Sequence, residues 1–226
     1  MPTPKQRILC LHGGGSNNDI TYFQTTGLQL LPRFECVYLN APHTTKQCYP
    51  GLDQFSDGPW YIWADPTKSQ SDQEEQWDKS LNFLAKYCEE HGPFDGVYGF
   101  SQGAAMVADF SHPKIWRERF QMKQCPWKFA ILACGASSQS LTFNKGTTPT
   151  MIGVPSFHTF GEKDRFLVDS KKIADLWAPP HCVTHLHGGG HVIDSQILKR
   201  EPKMFVKLNN FLILQYRSSL NAKHGI

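Results

Sequence analysis

Ser101 is the residue in this chain best placed to act as a nucleophile. It lies in Gly99-Phe100-Ser101-Gln102-Gly103, behind an apolar strand-like run (94–98) and ahead of a helical pattern that begins Ala104-Ala105-Met106-Val107. In a G-x-S-x-G corner between strand and helix, the turn is so tight that residues two before and two after the serine must be small. The hydroxyl is then exposed at the corner. A serine hydroxyl is a poor nucleophile at neutral pH, so it needs a general base, and the base needs a third group to orient it. Later strand ends supply both. Asp164 follows the run 156–160 in Gly161-Glu162-Lys163-Asp164, and His191 follows the run 183–187 in Gly188-Gly189-Gly190-His191. The three glycines are expected to let the backbone bring the imidazole to the serine. Asp169 and Asp175 compete for the carboxylate role but fall in or at the start of the next helical pattern. The three occur in the chain order Ser, Asp, His.

Acyl transfer also requires donors for the developing oxyanion. The run 8–11 leads into His12-Gly13-Gly14-Gly15, a glycine turn of the HGGG type. The backbone amides of Gly14 and Gln102 are the expected oxyanion hole, and His12 is expected to brace the loop. A phosphate-loop reading of these glycines fails, because no Gly-Lys-Ser/Thr follows. His185, His187 and His191 spell a His-x-His-x-x-x-His pattern, but a hydrolytic zinc site would add nearby carboxylates and only Asp194 is close. No metal and no cofactor is therefore expected, and His185 and His187 read as strand positions sharing one face.

These residues need a scaffold that gathers strand ends along one edge. Strand-like apolar runs occur at 8–11, 36–39, 96–99, 129–134, 156–160 and 183–187, most of them flanked by Gly, Pro or Asn. Helical patterns fall between several of them, at 20–31, 102–112, 169–177 and 202–220. The clearest starts at a capping box, Ser71-Asp72-Gln73-Glu74, carries Trp77, Leu81, Leu84, Ala85 and Cys88 on one face, and stops at Gly92-Pro93. This alternation predicts an α/β fold, a mostly parallel sheet with helices on both faces. Two stretches break it. Residues 43–70 are rich in aromatics, Pro and Gly with no helical period, and residues 137–155 are rich in Ser, Thr and Gly. Such segments read as functional loops or surface excursions. Trp60, Tyr61 and Trp63 in the first are candidates for a substrate pocket, with core packing as the alternative.

Composition narrows the classes. The chain has 226 residues, 40% hydrophobic and 19% charged, which excludes a disordered chain or a coiled coil. No repeat or linker divides it, so residues 1–226 are expected to form one domain. With 23 Lys and Arg against 20 Asp and Glu, nothing suggests nucleic acid or an anionic membrane as partner. Lys199, Arg200, Lys203 and Lys207 read as the solvated face of the last helix. The seven cysteines contain no CxxC pair, which argues against a disulfide framework or a structural zinc site. No signal-peptide pattern and no long apolar run occur, so a cytoplasmic protein is expected.

The motifs Leu11-His12-Gly13-Gly14-Gly15-Ser16-Asn17, Tyr98-Gly99-Phe100-Ser101-Gln102-Gly103, Gly161-Glu162-Lys163-Asp164 and Gly190-His191 together resemble the FSH family of small serine hydrolases in the α/β-hydrolase superfamily. The resemblance spans nearly the whole chain, though Gly14 stands where a bulky residue commonly follows His-Gly. It implies an α/β-hydrolase fold without a large cap domain and Ser101, Asp164 and His191 as the triad. It also implies hydrolysis of a carboxylic ester or thioester of a small, largely apolar acyl group. Some members release acyl chains from polyketide synthases, which would make an acyl carrier protein the partner. A different class keeps the triad but acts as a small-ligand receptor with little turnover.

Overall fold

The structure is a computed structural model that describes residues 5–136 and 151–224. Six strands form one parallel sheet: β1 (Gln6–Leu11), β2 (Phe34–Leu39), β5 (Gly96–Phe100), β6 (Phe129–Ala133), β7 (Ser156–Gly161) and β8 (Cys182–His187). They stand in the order β2-β1-β5-β6-β7-β8. The central strands β5, β6 and β7 are buried at every position, as strands covered on both faces must be. The edge strands β2 and β8 leave residues exposed.

Among the described residues six α-helices flank the sheet, four between strands and two after the last: α1 (Asn18–Gly27), α2 (Gln70–His91), α3 (Gln102–Ser111), α4 (Leu167–Ala174), α5 (Ile197–Arg200) and α6 (Pro202–His224). Alternate strand residues feed two cores. Leu9, Val97 and Leu132 pack with Leu81 and Leu84 of α2, Met106 and Phe110 of α3 and Ile173 of α4. On the other face Ile8, Tyr98 and Ile131 pack with Leu28, Ile197 and the α6 residues Leu208 and Phe211. The expected two-sided α/β sheet is therefore present.

The strand order reverses beside β1: the chain first builds outward to β2, then returns to place β5 on the other side. Register fixes what meets at that switch point. Leu11 pairs with Gly99, so the glycine turn after β1 and the corner after β5 emerge side by side. Crevices at the carboxyl ends of such strands are where ligands bind in open α/β sheets.

Three expectations need correction. The segment 43–70 is not wholly irregular: β3 (His43–Thr45) and β4 (Trp60–Ile62) form an antiparallel pair, His43 opposite Ile62. Three-residue strands are too short to show a period of two. The N-cap of α2 is Ser69, whose hydroxyl accepts from the Asp72 amide at 3.2 Å, not Ser71. Ser69-Gln70-Ser71-Asp72 is an overlapping capping signal, and it is the one used. A π-helical turn, Lys114–Arg119, follows α3 where no helix was expected. Of the stretch 137–155, residues 137–150 lie outside the described residues, and Ile152 beyond them bridges to Trp177.

Candidate active site

Ser101 occupies the corner between β5 and α3 with φ 54° and ψ −118°, a conformation that costs a residue with a side chain about 1–3 kcal/mol. The surroundings hold it there. Its amide donates to the Ala133 carbonyl at 2.9 Å, and its own carbonyl accepts from the Ala105 amide at 3.1 Å. Both neighbouring glycines are forced by backbone contact. A Cβ on Gly99 would lie 2.6 Å from the Gly103 oxygen, and one on Gly103 would lie 2.5 Å from the carbonyl oxygens of Leu11 and His12. The small-residue rule of the motif is thus a direct consequence of β1 and α3 touching.

Asp164 and His191 converge on the serine. His191 Nε2 is 2.9 Å from Ser101 Oγ, and His191 Nδ1 is 2.8 Å from Asp164 Oδ2. An ionised carboxylate only accepts, so Nδ1 carries the proton and Nε2 is left to accept from the serine hydroxyl. Asp164 Oδ1 is occupied separately, accepting from the Phe166 amide at 2.8 Å. Burial raises the Asp164 carboxyl, but His191, the Phe166 amide and the Cys134 thiol together outweigh it and hold the group below the usual carboxylate range. Phe100 and Phe166 lie 5.0 Å from the His191 ring and Tyr49 lies 5.6 Å away, fixing the imidazole between three aromatic walls.

The glycines before His191 act differently from expectation. None has a positive φ, and Gly188 and Gly190 have no atom nearer than 3.6 Å to an added Cβ. The crowded residue is Gly161 at the end of β7, where a Cβ would sit 2.3 Å from the Gly190 oxygen. Close passage of the His191 loop over β7 therefore depends on the glycine beneath it.

The turn after β1 is pinned from behind. His12 Nε2 accepts from the Ala41 amide at 2.9 Å, which places the proton on Nδ1, and Nδ1 donates to the Gly13 carbonyl at 2.6 Å. Burial lowers His12 to about 4, so the ring is neutral and serves as a brace. Trp63 Nε1 donates to the His12 carbonyl at 2.8 Å. The Gln102 side chain crosses the space beside Gly14, accepting from the Trp63 amide at 3.1 Å and donating to the Ala64 carbonyl at 2.6 Å. A Cβ on Gly14 would meet Gln102 Oε1 at 2.9 Å, so here the glutamine amide fills the volume a larger residue would take. Among the described residues, the main-chain amides of Gly14 and Gln102 have no acceptor.

Beside Ser101 and His191 opens a cavity of about 520 Å³. Ile20, Phe23 and Gln24 of α1 form one wall, Tyr49, Leu52 and Phe55 of the loop after β3 a second, and Phe100, Val192 and Ile193 a third, with Ser16, Asp194 and Ser195 among the polar lining residues. Phe23 and Phe55 stand at 47% and 61% exposure with their rings 6.3 Å apart, an aromatic rim.

A family model described as "Serine hydrolase (FSH1)" matches residues 1–201. The chain belongs to the FSH1 serine hydrolase family. An esterase of Caenorhabditis elegans, C25G4.2, is 32% identical over 214 residues, covering 88% of this chain and 90% of its own. Esterase OVCA2 of Danio rerio is 28% identical, covering 86% and 93%. Among solved structures, the carboxylesterase of Bacillus cereus aligns at a TM-score of 0.56 with 13% identity, over 90% of this chain and 89% of that one. The fold is that of an α/β-hydrolase, and the protein is a hydrolase enzyme.

In this serine hydrolase the expected aromatic pocket residues do other work. Trp60, Tyr61 and Trp63 do not line the cavity. Trp63 is fully buried behind the glycine turn. Tyr61 exchanges backbone hydrogen bonds with Ser16 at 3.2 and 2.8 Å, so β4 splints that turn. Trp60 packs against Gly58. The wall residues missed in the sequence carry one faint signal: Ile20, Phe23 and Gln24 share a helix face directly after the glycine turn. His185, His187 and His191 also part company. His185 meets Glu201 at 3.4 Å, His187 accepts from the Gly189 amide at 3.2 Å, and His191 serves Asp164 and Ser101. Cys134, Asp164 and His191 do bring their donor atoms within 4.8 Å of one another, but Asp164 and the His191 nitrogen facing it are already hydrogen-bonded together. Among the described residues, no helix is long and apolar enough to cross a membrane.

Proposed function

We propose that the enzyme hydrolyses a carboxylic ester or thioester of a small, largely apolar acyl group through a Ser101 acyl-enzyme. The observation that carries this reading is the unbroken hydrogen-bonded line Asp164–His191–Ser101, with both links under 3 Å. Ser101 Oγ attacks the acyl carbonyl as its proton passes to His191 Nε2. Asp164 remains ionised and stabilises the imidazolium. The carbonyl oxygen gains charge between the amides of Gly14 and Gln102, each donor of this kind being worth about 3 kcal/mol of barrier. His191 then protonates the leaving alcohol or thiol. Water, activated by the same nitrogen, attacks the acyl-enzyme and returns the proton to Ser101.

The apolar walls around Phe23, Leu52 and Phe55 support an apolar acyl group. An acyl carrier protein is the partner if the natural substrate is a carrier-bound thioester. Seven free thiols fit a reducing compartment such as the cytoplasm. The test is turnover of short-chain nitrophenyl esters and matched thioesters by the wild type and Ser101→Ala. Many turnovers per molecule are expected, lost in the variant. Stoichiometric binding without turnover would replace the enzyme reading with that of a ligand receptor.

A further inference from the structure

Two polar groups in the cavity wall take no part in the chemistry above. Gln24, on α1, is only 6% exposed and lines the cavity. Its Oε1 accepts from the Tyr98 hydroxyl at 3.3 Å. Tyr98 is fully buried, its burial keeps the phenol protonated, and the hydroxyl has no other acceptor among the described residues. That assigns the amide: the oxygen is used by Tyr98, and Nε2 is left with no partner among the described residues. Ser16, 2% exposed, lines the same cavity. Its amide and carbonyl are taken by Tyr61, while its hydroxyl has no partner among the described residues.

The rest of the wall is mostly apolar, with Ile20, Phe23, Leu52 and Ile193; Asp194 and Ser195 also line it, but the Asp194 carboxylate is already held by Arg200 and the Gln196 amide. Buried polar groups in proteins are almost always paired, by protein, water or ligand. A plain hydrocarbon chain filling this cavity would strip water from both and leave them unpaired. An acyl chain with an oxygen at that depth would pair them instead. We propose that the pocket is built for an oxygenated acyl chain, a hydroxy- or oxo-acyl ester or thioester, whose chain oxygen is held by Gln24 Nε2 and the Ser16 hydroxyl. This rests on the ester-hydrolase reading and narrows its substrate class. Gln24 and Ser16 are specificity-determining residues; the bonds made and broken at Ser101 are unchanged.

The experiment compares kcat/KM for matched esters of one chain length, either saturated or with a single oxo or hydroxyl group walked along the chain. Wild type, Gln24→Leu and Ser16→Ala are assayed together. Gln24→Leu keeps the volume and removes the donor. At one or more positions the wild type should prefer the oxygenated chain by about tenfold or more, the usual consequence of leaving a site's buried polar groups unpaired. In Gln24→Leu that ratio should fall towards one. Because the readout is a ratio within each protein, loss of active enzyme on mutation does not disturb it, and fluorophosphonate labelling of Ser101 reports whether each site is formed. If Gln24→Leu does not fold, the wild-type ratio and its change in Ser16→Ala decide. A wild-type ratio near one at every position, or a ratio unchanged in both variants, overturns the proposal while leaving ester hydrolysis standing. If no ester of either kind turns over, the hydrolase reading fails and takes this inference with it.

Discussion

Replacing Asp164 by Asn tests the proton bookkeeping of the site more sharply than deleting the side chain. The two carboxylate oxygens have different jobs: Oδ1 accepts from the Phe166 amide at 2.8 Å and Oδ2 faces His191 Nδ1 at 2.8 Å. An asparagine has one oxygen and one NH₂. If its oxygen stays with Phe166, the NH₂ points at His191 and Nδ1 must become an acceptor. The ring proton then moves to Nε2, and Ser101 faces a donor where it needs a base. If the amide flips, two N–H groups oppose each other at Phe166 inside a buried site. The first arrangement is favoured, and it leaves the structure intact but the tautomer wrong. A loss in kcat of about 10,000-fold is expected, as in other triads where the carboxylate is replaced by an amide. The melting temperature should stay near that of the wild type, because a buried charge is removed along with its partner interaction. The assay is kcat on a nitrophenyl ester alongside a thermal melt. Activity within tenfold of the wild type, in a folded variant, would refute the assignment of Asp164 as the group that sets the tautomer.

Further consequences follow from the packing. Gly103→Ala should lower stability by about 3 kcal/mol in urea unfolding and abolish serine labelling, because the new Cβ meets two backbone oxygens of β1 and the glycine turn at 2.5 Å; unaltered stability would mean the corner is looser than described. Trp63→Phe removes the donor to the His12 carbonyl and should cost about 1–3 kcal/mol of stability while lowering kcat more than it raises KM, since it loosens the glycine turn proposed to hold the oxyanion and not the cavity wall. Burial lowers His12 to about 4 and His158 to about 3. Both are held neutral in the fold, so their contribution is fully present above about 6.5 and is lost as pH falls through 6.5 towards 4 and 3. For His12 alone the full loss is about 3 kcal/mol. Urea midpoints should therefore drop on acidification, less steeply in His158→Gln, and a flat profile between about pH 7 and pH 5 would contradict this.

The parts of the site that could be read from the sequence are those fixed by strand ends. Ser101, Asp164 and His191 each follow a strand-like run within a few residues, and a parallel sheet delivers all such ends to one edge. That Gly14 and Gln102 lie side by side is legible for the same reason, since they flank the switch point between β1 and β5. What surrounds them was not. Trp63 looks like a pocket aromatic because its neighbours are Pro, Gly and other rings, yet it lies under the glycine turn, where its indole N–H finds a carbonyl. The placement depends on β3 pairing with β4 across the fourteen residues between them, a long-range contact with no local period to announce it. Residues Phe23 and Phe55 come from a helix and a loop whose meeting is likewise set by tertiary packing. The glycine before the Asp164 loop carries a similar lesson. Gly161 looks unremarkable beside the three glycines at 188–190, but the strand-to-loop contact falls on Gly161.

The most direct measurement is a mass map of the covalent adduct formed with a fluorophosphonate. One adduct per molecule is expected, located on the tryptic peptide that contains Ser101, absent in Ser101→Ala and formed far more slowly in His191→Ala. Labelling at another side chain, or unchanged labelling and ester turnover in Ser101→Ala, would contradict the nucleophile assigned to this enzyme.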